Sequence, residues 1–313
     1  MEWHGVFPAV TTPFQEDLSL DLGFLPGHVE AMLAAGCRGF VPLGSLGESA
    51  TLTFAEKGAI LEACRKALGG RAPLVPGIAA LSTAEAMATA RLAEEKGCDG
   101  LMVLPPYVYR PDRREMLAHF SAVLGATRLP CMLYNNPIAY GTDVLPEELA
   151  GLAAKHGNLA AVKESSGDVR RVTSIRALCG ARLAIFVGVD DLIVEGIAAG
   201  AVGWIAGLVN ALPAESVRLF DLAAAGKAVE ARALYEWFLP LLRLDVVPKF
   251  VQLIKLTQQE CGMGNERVRP PRLVLEGAER TEALAVIRER LARRPTALVQ
   301  DERSRPERSE GPL

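Results

Sequence analysis

Short apolar segments alternate with longer segments of helical periodicity along most of this chain. The apolar segments are rich in Val, Ile, Leu and Phe and do not alternate strictly with polar residues, as expected of strands covered on both faces. Eight of these segments are predicted to be strands: 5–14, 37–43, 73–79, 100–105, 130–134, 159–164, 183–188 and 202–206.

Helical segments lie between the strands, and some begin with recognisable capping residues. Thr53 is the predicted N-cap of a helix over 54–68, with Glu56 completing a capping box, and Ser82 stands in the same relation to Glu85. The repeated strand–helix alternation favours an α/β fold, a closed (β/α)8 TIM barrel. An open doubly wound sheet is the structural alternative.

Three regions of the chain are predicted from this pattern. Residues 1–226 form the barrel that carries the active site. Residues 227–293 form a C-terminal helical extension, with helices over 228–244, 247–260 and 275–293 and no assigned chemistry. Residues 294–313 are rich in charge and poor in apolar residues, so we expect a disordered tail.

Charge and cysteine content narrow the setting of the protein. The net charge of −3 over 313 residues argues against a nucleic acid or an anionic membrane as partner. The N-terminus lacks a basic segment followed by an apolar one, and no apolar run is long enough to span a membrane. The six cysteines are widely spaced and show no metal or disulfide pattern, so we expect a reduced, cytoplasmic protein.

The active site of such a barrel lies where the strands end, at their C-terminal side. Lys163 stands there, at the junction of an apolar strand and a polar turn. A buried amine tends to lose its proton and can then add to a ketone as a Schiff base. The alternative is a lysine that reaches solvent or pairs with Glu164. Tyr134 ends the preceding strand and could exchange protons with a substrate, or it could be a packing residue.

Other strand ends carry weaker signals. The turn from Gly44 to Gly47 could hold a carboxylate through backbone N–H groups and the Ser45 hydroxyl, or could be a simple connection. Asp190 and Asp191 could be a helix N-cap pair, and two carboxylates there disfavour a phosphorylated substrate. The four histidines are neither at strand ends nor clustered with carboxylates, so no metal site is predicted.

Five motifs occur in order at barrel spacing: Pro8-Ala9-Val10-Thr11-Thr12-Pro13-Phe14, Gly44-Ser45-Leu46-Gly47-Glu48, Tyr134-Asn135-Asn136-Pro137, Val162-Lys163-Glu164-Ser165-Ser166-Gly167-Asp168 and Gly203-Trp204-Ile205-Ala206-Gly207-Leu208-Val209-Asn210. With them the chain resembles the dihydrodipicolinate synthase / N-acetylneuraminate lyase family, from residue 5 to about residue 293. The resemblance implies a lyase or dehydratase that forms a Schiff base with pyruvate or another 2-oxo acid. It also implies that no cofactor is needed and that the chain forms a homo-oligomer, commonly a tetramer.

The resemblance assigns roles position by position. Lys163 matches the Schiff-base lysine, and Tyr134 matches the tyrosine that relays protons. Ser45 and the backbone of Leu46 match the loop that binds the substrate carboxylate. Two further positions match residues that line the pocket, namely Gly188 and Ile205.

Three departures from dihydrodipicolinate synthases bear on the second substrate. Leu46 replaces a threonine, Val108 replaces an interface tyrosine, and Ala139 replaces an arginine that grips the aldehyde substrate's carboxylate. Losing such a charged donor could cost about 2–5 kcal/mol of binding. We therefore expect a different second substrate with an uncharged far end, such as a hydroxylated or deoxy-sugar 2-oxo acid whose hydroxyls or amine meet Asp190.

Three alternatives stay open at this point. The chain could be a 4-hydroxy-tetrahydrodipicolinate synthase proper. It could be a deaminase of a hydroxylated pyrroline carboxylate. It could also be a barrel that binds a 2-oxo acid without turning it over.

Overall fold

A curled sheet of parallel strands forms the centre of the computed structural model, which describes residues 1–107 and 109–295. The order of the strands in the sheet is β1-β7-β6-β5-β4-β3-β2. Its seven strands are β1 (Gly5–Pro8), β2 (Gly77–Ile78), β3 (Leu101–Val103), β4 (Cys131–Asn135), β5 (Leu159–Glu164), β6 (Ala184–Val187) and β7 (Gly203–Ala206).

Helices surround this sheet in the described part of the chain. They are α1 (Leu25–Ala34), α2 (Phe54–Leu68), α3 (Thr83–Glu95), α4 (Arg113–Gly125), α5 (Pro137–Tyr140), α6 (Pro146–Lys155), α7 (Arg170–Cys179), α8 (Ile193–Ala198), α9 (Pro213–Ala224), α10 (Ala228–Leu242), α11 (Phe250–Glu260) and α12 (Gly277–Ala292). The predicted caps of α2 and α3 are confirmed, because Thr53 and Ser82 each accept a hydrogen bond from the third residue of their helix.

The second predicted strand is reduced to two bridges, and these close the cylinder. Val41 pairs with Ala9 beside β1, and Phe40 pairs with Leu74 just before β2. Pro42 follows directly and has no N–H to donate, so a regular ladder cannot continue through this segment. The predicted (β/α)8 TIM barrel is confirmed, with one of its eight strands irregular.

Aromatic side chains fill the end of the cylinder where the strands begin. The rings of Phe7 and Phe186 lie 5.0 Å apart, edge to face, and Trp3 packs against both. A Cβ on Gly203 would lie 2.2 Å from the Phe186 ring, so only glycine leaves room for this packing. The opposite end, where the strands finish, is therefore the place for a ligand.

The helices after residue 226 begin and end close to their predicted limits, with one interruption. The helix predicted over 247–260 begins only at Phe250, after a 3₁₀ turn at Arg243–Asp245 and Pro248. No observation here tests whether a domain boundary lies at residue 226, so that division stays a prediction. Of the predicted tail, Arg294 pairs with Glu215, and residues 296–313 lie outside the described residues.

A buried ion pair joins helix α11 to the loop that follows the second strand. Lys255 Nζ lies 2.7 Å from Glu48 Oε1, and both side chains are almost fully buried. Lys255 also donates to the Arg267 carbonyl at 2.6 Å, and the Arg269 N–H donates to Glu48 Oε2 at 3.0 Å. Burial lowers the pKa of Lys255 to about 8.

Within the described residues, no helix is both long enough and apolar enough to cross a lipid bilayer.

Glu48→Gln should lower the free energy of unfolding by about 3–5 kcal/mol, because it leaves the Lys255 amine buried without its counter-charge. Urea denaturation followed by circular dichroism measures the change. The control is Glu62→Gln, which removes the same charge from an exposed pair with Lys96 and should leave the midpoint unchanged. Equal midpoints for Glu48→Gln and the unmodified protein would contradict this role of the pair.

Candidate active site

Lys163 and Tyr134 face each other inside the barrel. They are register partners on the neighbouring strands β5 and β4. Lys163 Nζ lies 4.1 Å from the centroid of the Tyr134 ring. The two residues are only 7% and 5% exposed. The structure therefore brings the predicted amine and phenol together in a largely water-free space.

The alternative of a Lys163–Glu164 pair is not what the structure shows. Successive side chains of a strand point to opposite faces, so Glu164 points away from Lys163. The Glu164 carboxylate accepts hydrogen bonds from Asn135 Nδ2 at 3.1 Å and from the Ser166 N–H at 2.6 Å. Burial raises the pKa of Glu164. These hydrogen bonds keep the Glu164 carboxylate outside the barrel interior.

Gly188 makes the inward path of the lysine side chain possible. A Cβ at this position would lie 2.4 Å from Lys163 Cε and 2.1 Å from Ser165 Oγ, closer than atoms can approach. Any other residue would displace the lysine from its position over Tyr134. The structure thus places Gly188 against the Lys163 side chain, and its role in lining a substrate pocket stays a prediction.

A second tyrosine, which the sequence did not single out, completes the group around Ser45. The Tyr140 hydroxyl and Ser45 Oγ share a hydrogen bond. The Tyr140 ring meets the Tyr134 ring edge to face, with centroids 5.8 Å apart. Burial raises the pKa of the Tyr140 phenol above its usual range, so it stays protonated. The sequence signal for this contact is the pair Pro137 and Gly141, which begin and end a helical turn. This turn places Tyr140 at the mouth of the barrel.

The turn after the second strand leaves backbone donors available beside Ser45. In the described part of the chain, no hydrogen bond uses the N–H of Ser45 or of Leu46. Gly47 is required here, since a Cβ would lie 2.9 Å from the Val10 carbonyl oxygen. Thr12 Oγ1 fixes the turn by donating to the Gly47 carbonyl at 2.6 Å. Such convergent N–H groups can bind a carboxylate.

Asp190 is fully buried, and other groups of the protein donate hydrogen bonds to its carboxylate. It accepts hydrogen bonds from Trp204 Nε1 at 2.9 Å, from the Leu208 N–H at 2.9 Å and from the Gly207 N–H. Burial raises its pKa to about 6. Asp190 therefore shapes the turn after β7, and its predicted contact with substrate stays a prediction. Ile205 lies on β7 and is 1% exposed. Gly188 and Ile205 each follow the last register pair of β6 and β7 by one residue, so they lie at the same level of the barrel.

His28, buried beside this turn, is a packing residue. It contacts Asn210 Oδ1 at 3.2 Å, and burial lowers its pKa to about 4, so it is neutral. Asn210 in turn donates to the carbonyls of Ala9 and Gly207 at 2.8 Å and thereby ties β1 to β7. Among the residues that the structure describes, no group of three or more His, Cys, Asp or Glu side chains could hold a metal ion.

Comparison with known proteins gives concordant matches over nearly the whole chain. A model of the dihydrodipicolinate synthetase family matches residues 2–290. A 4-hydroxy-tetrahydrodipicolinate synthase from Methanospirillum hungatei JF-1 is 34% identical over 272 residues, which cover 86% of this chain and 93% of that protein. The structure of a 4-hydroxy-tetrahydrodipicolinate synthase from Methylacidiphilum fumariolicum SolV has a TM-score of 0.87 at 29% identity and covers 93% of this chain and 98% of its own.

A third relative was solved with a ligand. This prophage protein of the dihydrodipicolinic acid synthase family from E. coli K12, in complex with pyruvate, has a TM-score of 0.86 at 25% identity and covers 92% of this chain and 99% of its own. The fold and these matches together define a lyase of the class I aldolase type. The chain belongs to the dihydrodipicolinate synthetase family, which confirms the resemblance carried by the five motifs.

Gly188→Ala should slow the formation of an imine at Lys163 by about 100-fold, because it displaces the amine from its position by roughly an ångström. The rate of borohydride trapping with pyruvate, followed by intact mass, measures this. Gly151→Ala is the matched control, since a Cβ there meets nothing within 4 Å. An unchanged trapping rate in Gly188→Ala would show that the amine does not need this space.

Proposed function

We propose that Lys163 forms a Schiff base with a 2-oxo acid and that Tyr134 moves the protons of the reaction. The observation that carries this proposal is the position of the Lys163 amine, inside the barrel and against the Tyr134 ring. The relative solved in complex with pyruvate supports a 2-oxo acid as the ligand. The free N–H groups of Ser45 and Leu46 support a site for its carboxylate.

The chemistry follows from these positions. The Lys163 amine adds to the ketone carbon, and one amine proton passes to the carbonyl oxygen. The phenol of Tyr134 supplies the second proton, with which this oxygen leaves as water. The resulting iminium draws electrons from the neighbouring carbon, whose proton returns to the tyrosine as an enamine forms. Ser45 and Tyr140 extend the hydrogen-bonded group at the mouth and can hold the substrate carboxylate and the phenol in place.

The second half of the reaction is less constrained, because aldol cleavage and elimination of water or ammonia all proceed through the same enamine. We propose a second substrate, or a distal half, without an anionic group. Leu46 is buried and apolar, and Ala139 offers no charge at the position where dihydrodipicolinate synthases usually have an arginine. Asp190 could meet hydroxyls or an amine there. A deaminase of a hydroxylated pyrroline carboxylate fits this mouth as well.

The rival is 4-hydroxy-tetrahydrodipicolinate synthase itself, the activity in the names of the relatives. Coupled turnover of pyruvate with aspartate semialdehyde distinguishes the two. Efficient turnover would favour the synthase, whereas imine formation without turnover supports a different second substrate. Stabilisation by pyruvate without any imine would instead support a non-catalytic 2-oxo-acid-binding barrel.

Reduction with borohydride in the presence of pyruvate should add one reduced pyruvyl group per chain, and peptide mapping should place it on Lys163. Lys163→Ala should abolish the adduct. Tyr134→Phe should still form it, but about 100-fold more slowly, because the proton donor is lost. Lys255, which is also buried, should stay unmodified because it is paired with Glu48. An adduct absent from the unmodified protein, or located on Lys255, would refute the proposal.

We also propose a homo-oligomer. Three large apolar side chains that follow successive strands are exposed: Leu81 (65%) after β2, Tyr109 (57%) after β3 and Ile138 (74%) in α5. Exposed apolar surface is typical of an interface, and these side chains support one at this end of the barrel. Ile138→Asp should therefore yield a smaller species in light scattering coupled to gel filtration, whereas Val229→Asp, at an equally exposed site in α10, should not.

All six cysteines are free, which supports a cytoplasmic location.

A further inference from the structure

The helical extension places a carboxylate over the barrel mouth. Asp245, in the 3₁₀ turn between α10 and α11, packs directly on Gly207. A Cβ on Gly207 would lie 2.0 Å from Asp245 Oδ1 and 2.5 Å from its Cγ. The Asp245 carboxyl therefore occupies the space where a side chain at the end of β7 would stand.

That space belongs to the barrel interior. Gly203, Ile205 and Gly207 alternate along β7 and its end, so they share one face. At Gly203 this face meets the Phe186 ring inside the cylinder. Asp245 thus lies above Ile205, on the side of the mouth toward which Lys163 extends, and it is close enough for the lysine charge to lower its pKa.

The Asp245 carboxyl lacks a hydrogen-bond donor. Its Oδ1 is shielded from solvent and has no partner within the described residues. Burial raises the pKa of Asp245 well above its usual range, and the neighbouring Asp190 raises it further. The nearest arginine of the same turn, Arg243, lies 3.6 Å from Asp191 instead. A buried carboxyl oxygen left without a donor is costly, and a bound molecule that donates a hydrogen bond to it would remove this cost.

We propose that Asp245 is a specificity-determining residue that accepts a hydrogen bond from a hydroxyl or amino group on the distal half of the 2-oxo acid bound at Lys163. The inference rests on the Schiff-base function proposed above and names the class of substrate. Ser45 follows the second strand, Lys163 lies in β5 and Gly207 follows β7, so a molecule that contacts the first two has Asp245 on its third side.

The probes are three 2-oxo acids of equal chain length: 2-oxopentanoate and its 5-hydroxy and 5-amino derivatives. The amino compound also exists as a cyclic imine that has neither a free ketone nor an N–H donor, so only its open-chain form serves as the probe. The protein should form the borohydride-trapped adduct with at least one donor-bearing compound at an about tenfold lower concentration than with 2-oxopentanoate. Whichever derivative is preferred identifies the donor as hydroxyl or amine.

Asp245→Leu and Gly207→Ala remove this preference in two different ways. The first replaces the carboxyl with an apolar group of similar shape that has no acceptor, and the second displaces the carboxyl, since Gly207 has a backbone conformation that alanine also adopts. Both variants should still form the pyruvate adduct, because pyruvate has no distal half. Asp191→Asn is the control, since it removes the same charge from the same rim and should keep the preference.

The outcomes separate this inference from the proposed function. Failure of the pyruvate adduct in the unmodified protein refutes the Schiff-base function. Calorimetry on Lys163→Ala then still tests Asp245, because the donor-bearing probe should bind more tightly than 2-oxopentanoate only while Asp245 is present. A preference that is absent, that survives Asp245→Leu, or that is lost equally in Asp191→Asn would overturn the inference. In the last case the cause would be the general negative charge of the rim.

Discussion

The chemistry proposed for this protein depends on keeping one lysine amine inside a barrel, where the surrounding side chains shield it from solvent. The first requirement is space for the lysine side chain. Lys163 reaches over the face of Tyr134 only because Gly188 leaves the space beside it empty. The adjacent Glu164 carboxylate does not pair with the amine, because successive side chains of a strand point to opposite faces. Glu164 lies on the other face, where Asn135 and Ser166 donate hydrogen bonds to it.

The barrel mouth is assembled from parts far apart in the chain. Ser45 comes from the loop after the second strand, Tyr140 from a short helix after β4, and Asp245 from the helical extension. The same loop and extension are locked together by the buried pair of Glu48 and Lys255. The extension is therefore part of the mouth, although its sequence carries no recognisable motif.

Much of the fold was predictable from local patterns. The capping residues Thr53 and Ser82 fixed the starts of two helices, and seven of the eight apolar segments became strands. The segment around Val41 did not, because Pro42 interrupts its ladder. At the site, Lys163 and Tyr134 could be identified from motifs and strand ends. Tyr140 could not, since its contact with Ser45 joins residues 95 positions apart.

The sequence by itself determined which residues could carry the chemistry and which strands would present them, because apolar periodicity and capping act over a few residues. Only the tertiary structure decided which of these residues meet. It engaged Asp190 with three donors of the β7 turn, which strand-end position alone does not reveal. It also left Asp245 Oδ1 without a donor among the residues that the structure describes. Pairing and burial depend on contacts between distant segments, and no local pattern of residues records these contacts.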